Sequence, residues 1–445
     1  MDRDKRGRKG RDGRIRRLLS FPGDMLRYLA GKWRGRSLSK RMADRAHPLP
    51  VKAALVDDLI AAWSKITPDD DIPSAAHMEA ALPLGSLPPL TPPAWGVTAE
   101  ERAVVARIRK QTVRMNRNNV TRTAAYLAFY RRYPEVHWAF LAHMVSRNGG
   151  WNMTDLQGEL LPRLLNRRQR EATFQFLERA NALIFGDAYP QLLLYEAGAA
   201  SGRDLTHLLR YFGVSKFMEP VWTQFRRSRD PVPLTIALIV NEQHFIERRV
   251  VQHPYYRKEV LETAFFGLQS LLQLNQVLFP YSTGKDNMKL SGIILEDFKD
   301  LRERIEFGKR LYAMLFGVPG VQRGAYAFAC AAAHTGSRAD YAPQLFTSVR
   351  HRPPQRKYRE RLEGGRLRPG AEPLYSPELA FAWPDRPIHP AEEGDWFVSG
   401  ADAAGYFKDL PLPASFEITN EYAFALGKIE LAVLAKEKLG PIVPK

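Results

Sequence analysis

The chain has 445 residues, 45% of them hydrophobic, and a formal net charge of +18 from 66 Lys+Arg against 48 Asp+Glu. That is enough chain for one large or two ordinary domains, and it excludes collagen-like, mucin-like and wholly disordered classes. The single cysteine, Cys330, excludes an intramolecular disulfide framework and any cysteine-based zinc cluster, and fits a reducing compartment.

The charge is unevenly placed. Residues 1–45 hold 16 Lys+Arg and 5 Asp+Glu, a balance of +11, which leaves +7 for the rest. This basic arm opens with "MDRDKRGRKGRDGR", which has almost nothing to bury and is expected to be disordered. Further on, Met25, Leu26, Leu29 and Trp33 share one helical face, with Arg14, Arg16 and Arg17 shortly before them. That pattern suits a helix lying on an anionic membrane surface. An alternative is a solvated tail whose short stripe docks on the protein's own body. Deleting residues 1–45 is expected to leave the body's thermal unfolding nearly unchanged, because little core would be lost. No run of 18 apolar residues predicts a membrane span, and Pro22, Asp24 and Arg27 do not suit a cleaved export signal. The reading is a cytoplasmic protein, peripheral on the inner membrane face.

Residues 46–97 read as a helix, "VKAALVDDLIAAWSKI", followed by a Pro-rich connector. Residues 98–340 form the main body, with apolar residues recurring at three and four positions and no sustained strand alternation. "EVLETAFFGLQSLLQLNQVLF" is included among its helices. Residues 341–415 are a loop-rich basic excursion, and 416–445 end in a closing helix with a stripe of Leu426, Ile429, Val433 and Leu434. The fold class is all-α.

Within the body, residues 116–156 read as helix, break, helix, break, helix. Pro134 separates the first two, and the second, Glu135 to about Asn148, is apolar nearly all round and therefore central. Gly149-Gly150 predicts a left-handed cap, and Thr154 with Gln157 a capping box for the next helix. His137, His143, Arg147 and Asn148 have no such local explanation. Asn116, Asn118, Asn119, Thr121, Arg122 and Thr123 precede them as a second polar cluster. A structural network locking helix ends is the preferred reading, with His143, Arg147 and Asn148 buried and bonded to the 116–123 segment. Removing Arg147 then costs about 3–5 kcal/mol if a buried charge pair is broken. The rival is a pocket in which a histidine is general base and Arg122 or Arg147 holds an anionic substrate group.

"NRNNVTRTAAYLAFY", "PEVHWAFLAHMVSRNGGWNMTDL", "HTGSRADYAPQLF" and "EEGDWF" together resemble a bacterial family, domain of unknown function 2515. The resemblance covers most of the chain after about residue 100 and implies a bacterial, non-exported protein. It brings no activity, cofactor or catalytic residue.

Other candidates are weaker. Glu242, His244 and Glu247 lie close together, but "HFIE" reverses the Glu-first order of carboxylate-bridged di-iron bundles and has no duplicate. His334 and Arg338 sit where an apolar helix emerges, and Arg338 is expected to pair with Asp340 rather than bind an anion. Cys330 reads as inert packing. No phosphate-loop, nucleophile-elbow, dinucleotide-binding or His-Glu-x-x-His motif is present, and no cofactor is predicted. The leading function is an interaction or scaffold protein held at a membrane by its arm. The alternatives are the His/Arg/Asn enzyme and non-specific nucleic-acid binding through the arm and the 350–368 loop. A protein partner and the oligomeric state are left open.

Overall fold

The described residues are mostly helical, with only a few short strands among them, so the all-α class holds. The computed structural model describes residues 28–66, 97–263, 266–267, 275–282, 288–350, 352–353 and 357–439. The front part of the basic arm, including Arg14, Arg16, Arg17, Met25 and Leu26, and the Pro-rich connector lie outside the described residues.

Helix α1 (28–43) is followed by α2 (Ala53–Trp63), α3 (Ala99–Met115), α4 (Asn119–Arg132), α5 (His137–Asp155), α6 (Leu161–Leu164), α7 (Arg167–Ser201), α8 (Met218–Ser228), α9 (Pro231–Ile246) and α10 (Pro254–Tyr256). A hairpin of β1 (Gln276–Ser282) and β2 (Met288–Ile294) precedes α11 (Leu301–Gly317) and α12 (Pro319–Ala331). Two short helices, α13 (Leu379–Ala382) and α14 (Gly400–Ala404), lead to α15 (Thr419–Leu439).

α4 and α5 form the centre. Asn118 caps α4 by a reciprocal pair with Thr121, and Pro134 falls in the break before α5. Trp138, Phe140, Met144 and Trp151 of α5 are wholly buried, each worth roughly 1.5–3 kcal/mol of transfer free energy. α9 is equally apolar round its axis, with Pro231 at its first position and Asp230 accepting from Val232 N.

Three local expectations are overturned here. α5 runs through Gly149-Gly150 to Asp155 without a cap. A Cβ on Gly150 would meet Asn119 Oδ1 and, at 2.5 Å, His334 Nε2, so this glycine serves close approach. Thr154 is accordingly inside the helix, donating to Gly336 O at 2.5 Å, and starts no capping box. Residues 276–279, read as helix, are strand. Pro280 forbids a continuing helix, and β1 is buried on both faces, so its sequence shows an apolar run without alternation.

α1 does not trail from the body. Gly31 and Gly35 let it approach Asn420, Glu417 and Glu421, and buried Ser39 Oγ accepts from Phe416 N and Glu417 N, each at 2.9 Å. Tyr28 stacks on Phe424 at 4.1 Å. A contact of this kind contributes to stability, so the expectation that residues 1–45 are removable without effect fails for 28–43.

The basic excursion is also tied down. Arg163, Arg350 and Arg361 approach the buried Glu159 at 3.3, 3.6 and 3.5 Å, and buried Glu430 accepts from Tyr358 Oη and the backbone of Arg361 and Leu362.

Candidate functional site

The polar residues of α5 find separate partners. His143 is buried and its Nδ1 donates to Thr123 O at 2.8 Å. Burial and the neighbouring Arg147 hold its pKa well below the usual value, so it is neutral. Ser146 joins the same contact, with its Oγ 2.7 Å from Thr123 Oγ1 and its carbonyl accepting from Asn119 Nδ2 at 2.9 Å. Asn119 Oδ1 in turn accepts from His334 Nε2 at 2.8 Å. His143 therefore meets the 116–123 segment as expected.

Arg147 and Asn148 do not. Arg147 donates to Ala332 O at the end of α12 and lies over the Phe328 ring at 4.8 Å. Its Nε and Nη1 have no partner, and burial lowers its pKa to about 10. Asn148 pairs with strand β1. Its Nδ2 donates to Leu278 O at 2.8 Å while its Oδ1 accepts from Leu278 N at 3.0 Å. That amide acts as an extra strand edge, docking the hairpin on α5.

The remaining candidates are dispersed. His137 Nδ1 lies 3.0 Å from Tyr312 Oη, its ring stacks on Phe316 at 4.0 Å, and burial lowers its pKa to about 4. It shares no space with His143. Asn116 Nδ2 donates to Ala182 O at 3.0 Å, and Asn118 Nδ2 to Asp385 at 2.7 Å. Arg122 forms a buried bidentate pair with Glu178. Arg338 pairs with Asp155 at 2.7 Å rather than with Asp340, which instead accepts from Thr335. His244 stacks on Trp396 at 4.1 Å and Glu247 holds Arg304, so neither joins Glu242 in a metal-ligating group. Among the described residues, no group of three His, Cys, Asp or Glu side chains is placed to hold a metal ion. Cys330 is exposed, contrary to the packing expected of it.

Two other features face open space. On α1, the docking stripe of Gly31, Gly35 and Ser39 turns Leu29 and Trp33 outward, 53% and 72% exposed. Lys32, Arg34, Arg36, Lys40 and Arg41 are exposed beside them, and residues 28–43 contain no acidic residue. Behind α5, a cavity of about 280 Å³ is bounded by α4, α5, α7, α9, α11 and β1. Arg122 and Glu242 line it; His137, His143, Arg147 and Asn148 do not. Burial raises the Glu242 carboxyl to about 8, opposed by Gln243 and Trp138.

The model of the family described as "Protein of unknown function (DUF2515)" matches residues 114–421. The chain belongs to this family. It is 39% identical over 323 residues to the uncharacterized protein YppC of Bacillus subtilis (strain 168), covering 72% of this chain and 91% of that protein. No solved structure matches. The DUF2515 match takes in α4, α5 and the residues lining the cavity, while α1 lies outside it. The sequence reading missed Gln243, Arg304 and Asp187. Asp187 carried a legible signal, a lone acid in the apolar run "NALIFGDAYPQLLL". It is buried, accepts from Gln191 and Asn241 at 2.9 and 2.6 Å, and burial raises it to about 7.

Proposed function

We propose that this protein is a helical interaction protein of the bacterial cytoplasm, held on an anionic membrane surface by α1. The carrying observation is the orientation of that helix. Its small residues face the body and its large apolar ones face away, with Leu29 53% and Trp33 72% exposed. Exposed tryptophan and leucine insert at a headgroup boundary, and each nearby lysine or arginine adds about 1 kcal/mol of attraction to an anionic leaflet. Five basic and no acidic residues over 28–43 supply that complementarity, and the preceding arm adds to it. No described helix is long and apolar enough to cross a membrane.

The nucleic-acid alternative gains less support. The basic excursion directs Arg350 and Arg361 to Glu159, Arg352 to Glu372 and Arg368 to Glu360. The catalytic alternative needs a shared space for its histidines, and their separate partners support structural roles instead.

Co-sedimentation of the full chain with phosphatidylglycerol vesicles tests the proposal. Binding is expected at low salt, with release as salt screens the charges. A Leu29→Ser/Trp33→Ser double variant should fold normally, because both side chains are outside, and should lose most of the binding. Undiminished sedimentation of that variant, or equal binding to neutral phosphatidylcholine vesicles, would overturn it.

A further inference from the structure

Of the α5 polar network only Ser146 lines the cavity behind α5, and the membrane-facing helix does not reach it. At about 280 Å³ it approaches twice the ~150 Å³ of an apolar cavity that accepts benzene, and has room for roughly nine water-sized units at ~30 Å³ each. Its walls include Val145, Ile184, Ile239, Phe298, Phe307 and Leu311. Val145 is 36% accessible on a helix buried on nearly every side, so its free surface faces this space.

The polar residues of the wall include Glu242, Gln243, Asn181 and Asp155, the last paired with Arg338. Glu242 is surrounded by protein yet keeps accessible surface, and its contact with Gln243 Nε2 is long, 3.3 Å. The cations of the wall are already engaged, Arg122 by Glu178 and Arg304 by Glu247. Burial keeps Glu242 protonated at neutral pH, and a protonated carboxyl donates. Two further wall residues carry N–H groups without an acceptor, Gln276 Nε2 and Arg122 Nε, both enclosed by protein, while Trp138 lies beside the Glu242 carboxyl. Buried donors lacking acceptors are uncommon in folded proteins. An apolar space that presents a protonated carboxyl suits a ligand with an oxygen acceptor on an apolar chain, and does not suit an ammonium.

We propose that this cavity is a binding site for a medium-chain acyl compound, its carbonyl oxygen accepting from the Glu242 carboxyl and its chain lying against Val145 and Leu311. The acyl carbonyl belongs equally to a free acid and to an ester, and the assay separates them. The full chain is titrated calorimetrically, without vesicles or detergent, with hexanoic, decanoic and tetradecanoic acids, their methyl esters and decylamine. Affinity for the acid series, the ester series or both is expected to peak near ten carbons, at least tenfold above both the shorter and longer chains. Decylamine is expected to bind at least tenfold more weakly, and Val145→Trp to weaken decanoyl binding by tenfold or more. The series that binds names the source. Affinity that climbs steadily to fourteen carbons marks surface adsorption and overturns the proposal, as does decylamine matching the acyl compounds or a folded Val145→Trp protein binding unchanged. The chain-length series on the unsubstituted protein decides the matter even if Val145→Trp does not fold.

Discussion

Replacing Arg147 by methionine measures what its buried guanidinium contributes. Burial lowers its pKa from the ordinary arginine value to about 10, which at about 1.4 kcal/mol per tenfold amounts to roughly 3 kcal/mol against keeping it charged. Below about pH 10 this cost is fully present, and it lifts only as pH rises above that value, so physiological pH does not relieve it. Opposing it are one hydrogen bond to Ala332 O and the contact with Phe328. A charged hydrogen bond is worth about 1.5–3 kcal/mol and a cation–ring contact about 0.5–2 kcal/mol. The two sides nearly cancel. Arg147→Met, which keeps most of the volume without the charge, should therefore change the unfolding free energy by less than about 1 kcal/mol. Arg147→Ala removes the packing as well and should cost about 2–4 kcal/mol.

Equilibrium unfolding in urea at pH 7, extrapolated linearly to water, reads both variants. A loss of about 3–5 kcal/mol for Arg147→Met is the signature of a broken buried charge pair. It would mean that Asp340, whose charge acts on Arg147 from nearby, is a full partner, and the cancellation argued above would be wrong. The sequence reading gives that larger loss for removing Arg147 if a buried charge pair is broken. The difference comes from Arg147 Nε and Nη1, which have no partner.

Two further outcomes follow from the same geometry. Gly150→Ala should destabilise by about 1–3 kcal/mol through its clash with Asn119 and His334. Gly149→Ala, whose Cβ would sit 3.1 Å from the Asn181 side-chain end, should be near neutral because the helix gains about 0.5–1 kcal/mol from alanine; equal losses at the two positions, read by urea unfolding, would contradict the packing argument. Glu242 and Asp187, raised to about 8 and about 7 from 4.5 and 3.8, keep protons in the fold that the unfolded chain has already released. Their contribution to stability therefore falls as pH rises, between about 4.5 and 8 for Glu242, by up to about 1.4 kcal/mol per pH unit. Glu242→Gln should flatten that slope, and unfolding curves for the two proteins that stay parallel from pH 5 to 8 would refute the assignment.

Much of the central architecture is legible in the sequence. The apolar residues all round "HWAFLAHM" place α5 inside, Pro134 marks the break before it, and the stripe of Leu426, Val433 and Leu434 is buried as its spacing implies. What is not legible depends on partners distant in the chain. Gly31, Gly35 and Ser39 are four apart, but without Phe416 and Glu417 in view the eye follows Leu29 and Trp33, the larger residues, which point away from the body. Gly150 signals a helix end unless one knows that Asn119 and His334 meet over it. The cavity is a property of six elements placed together, so single residues announce it only faintly, as Glu242 does within the polar run Asn241–His244 that ends an apolar helix.

The run Ser146-Arg147-Asn148 carries the deeper reason. Three adjacent polar residues in an apolar segment invite the idea of one site, but successive residues on a helix are rotated by about 100°. On a helix buried on nearly every side they therefore address three neighbours. Ser146 reaches Asn119 and Thr123 on α4, Arg147 the end of α12, and Asn148 the backbone of β1. Each fixes one packed element to α5. Residues that do share a space are those three and four apart: Trp138, Leu141, Ala142 and Val145, on the face toward the cavity. On a central helix, contiguous polarity thus points to a hub, and a binding surface has to be sought at helical spacing.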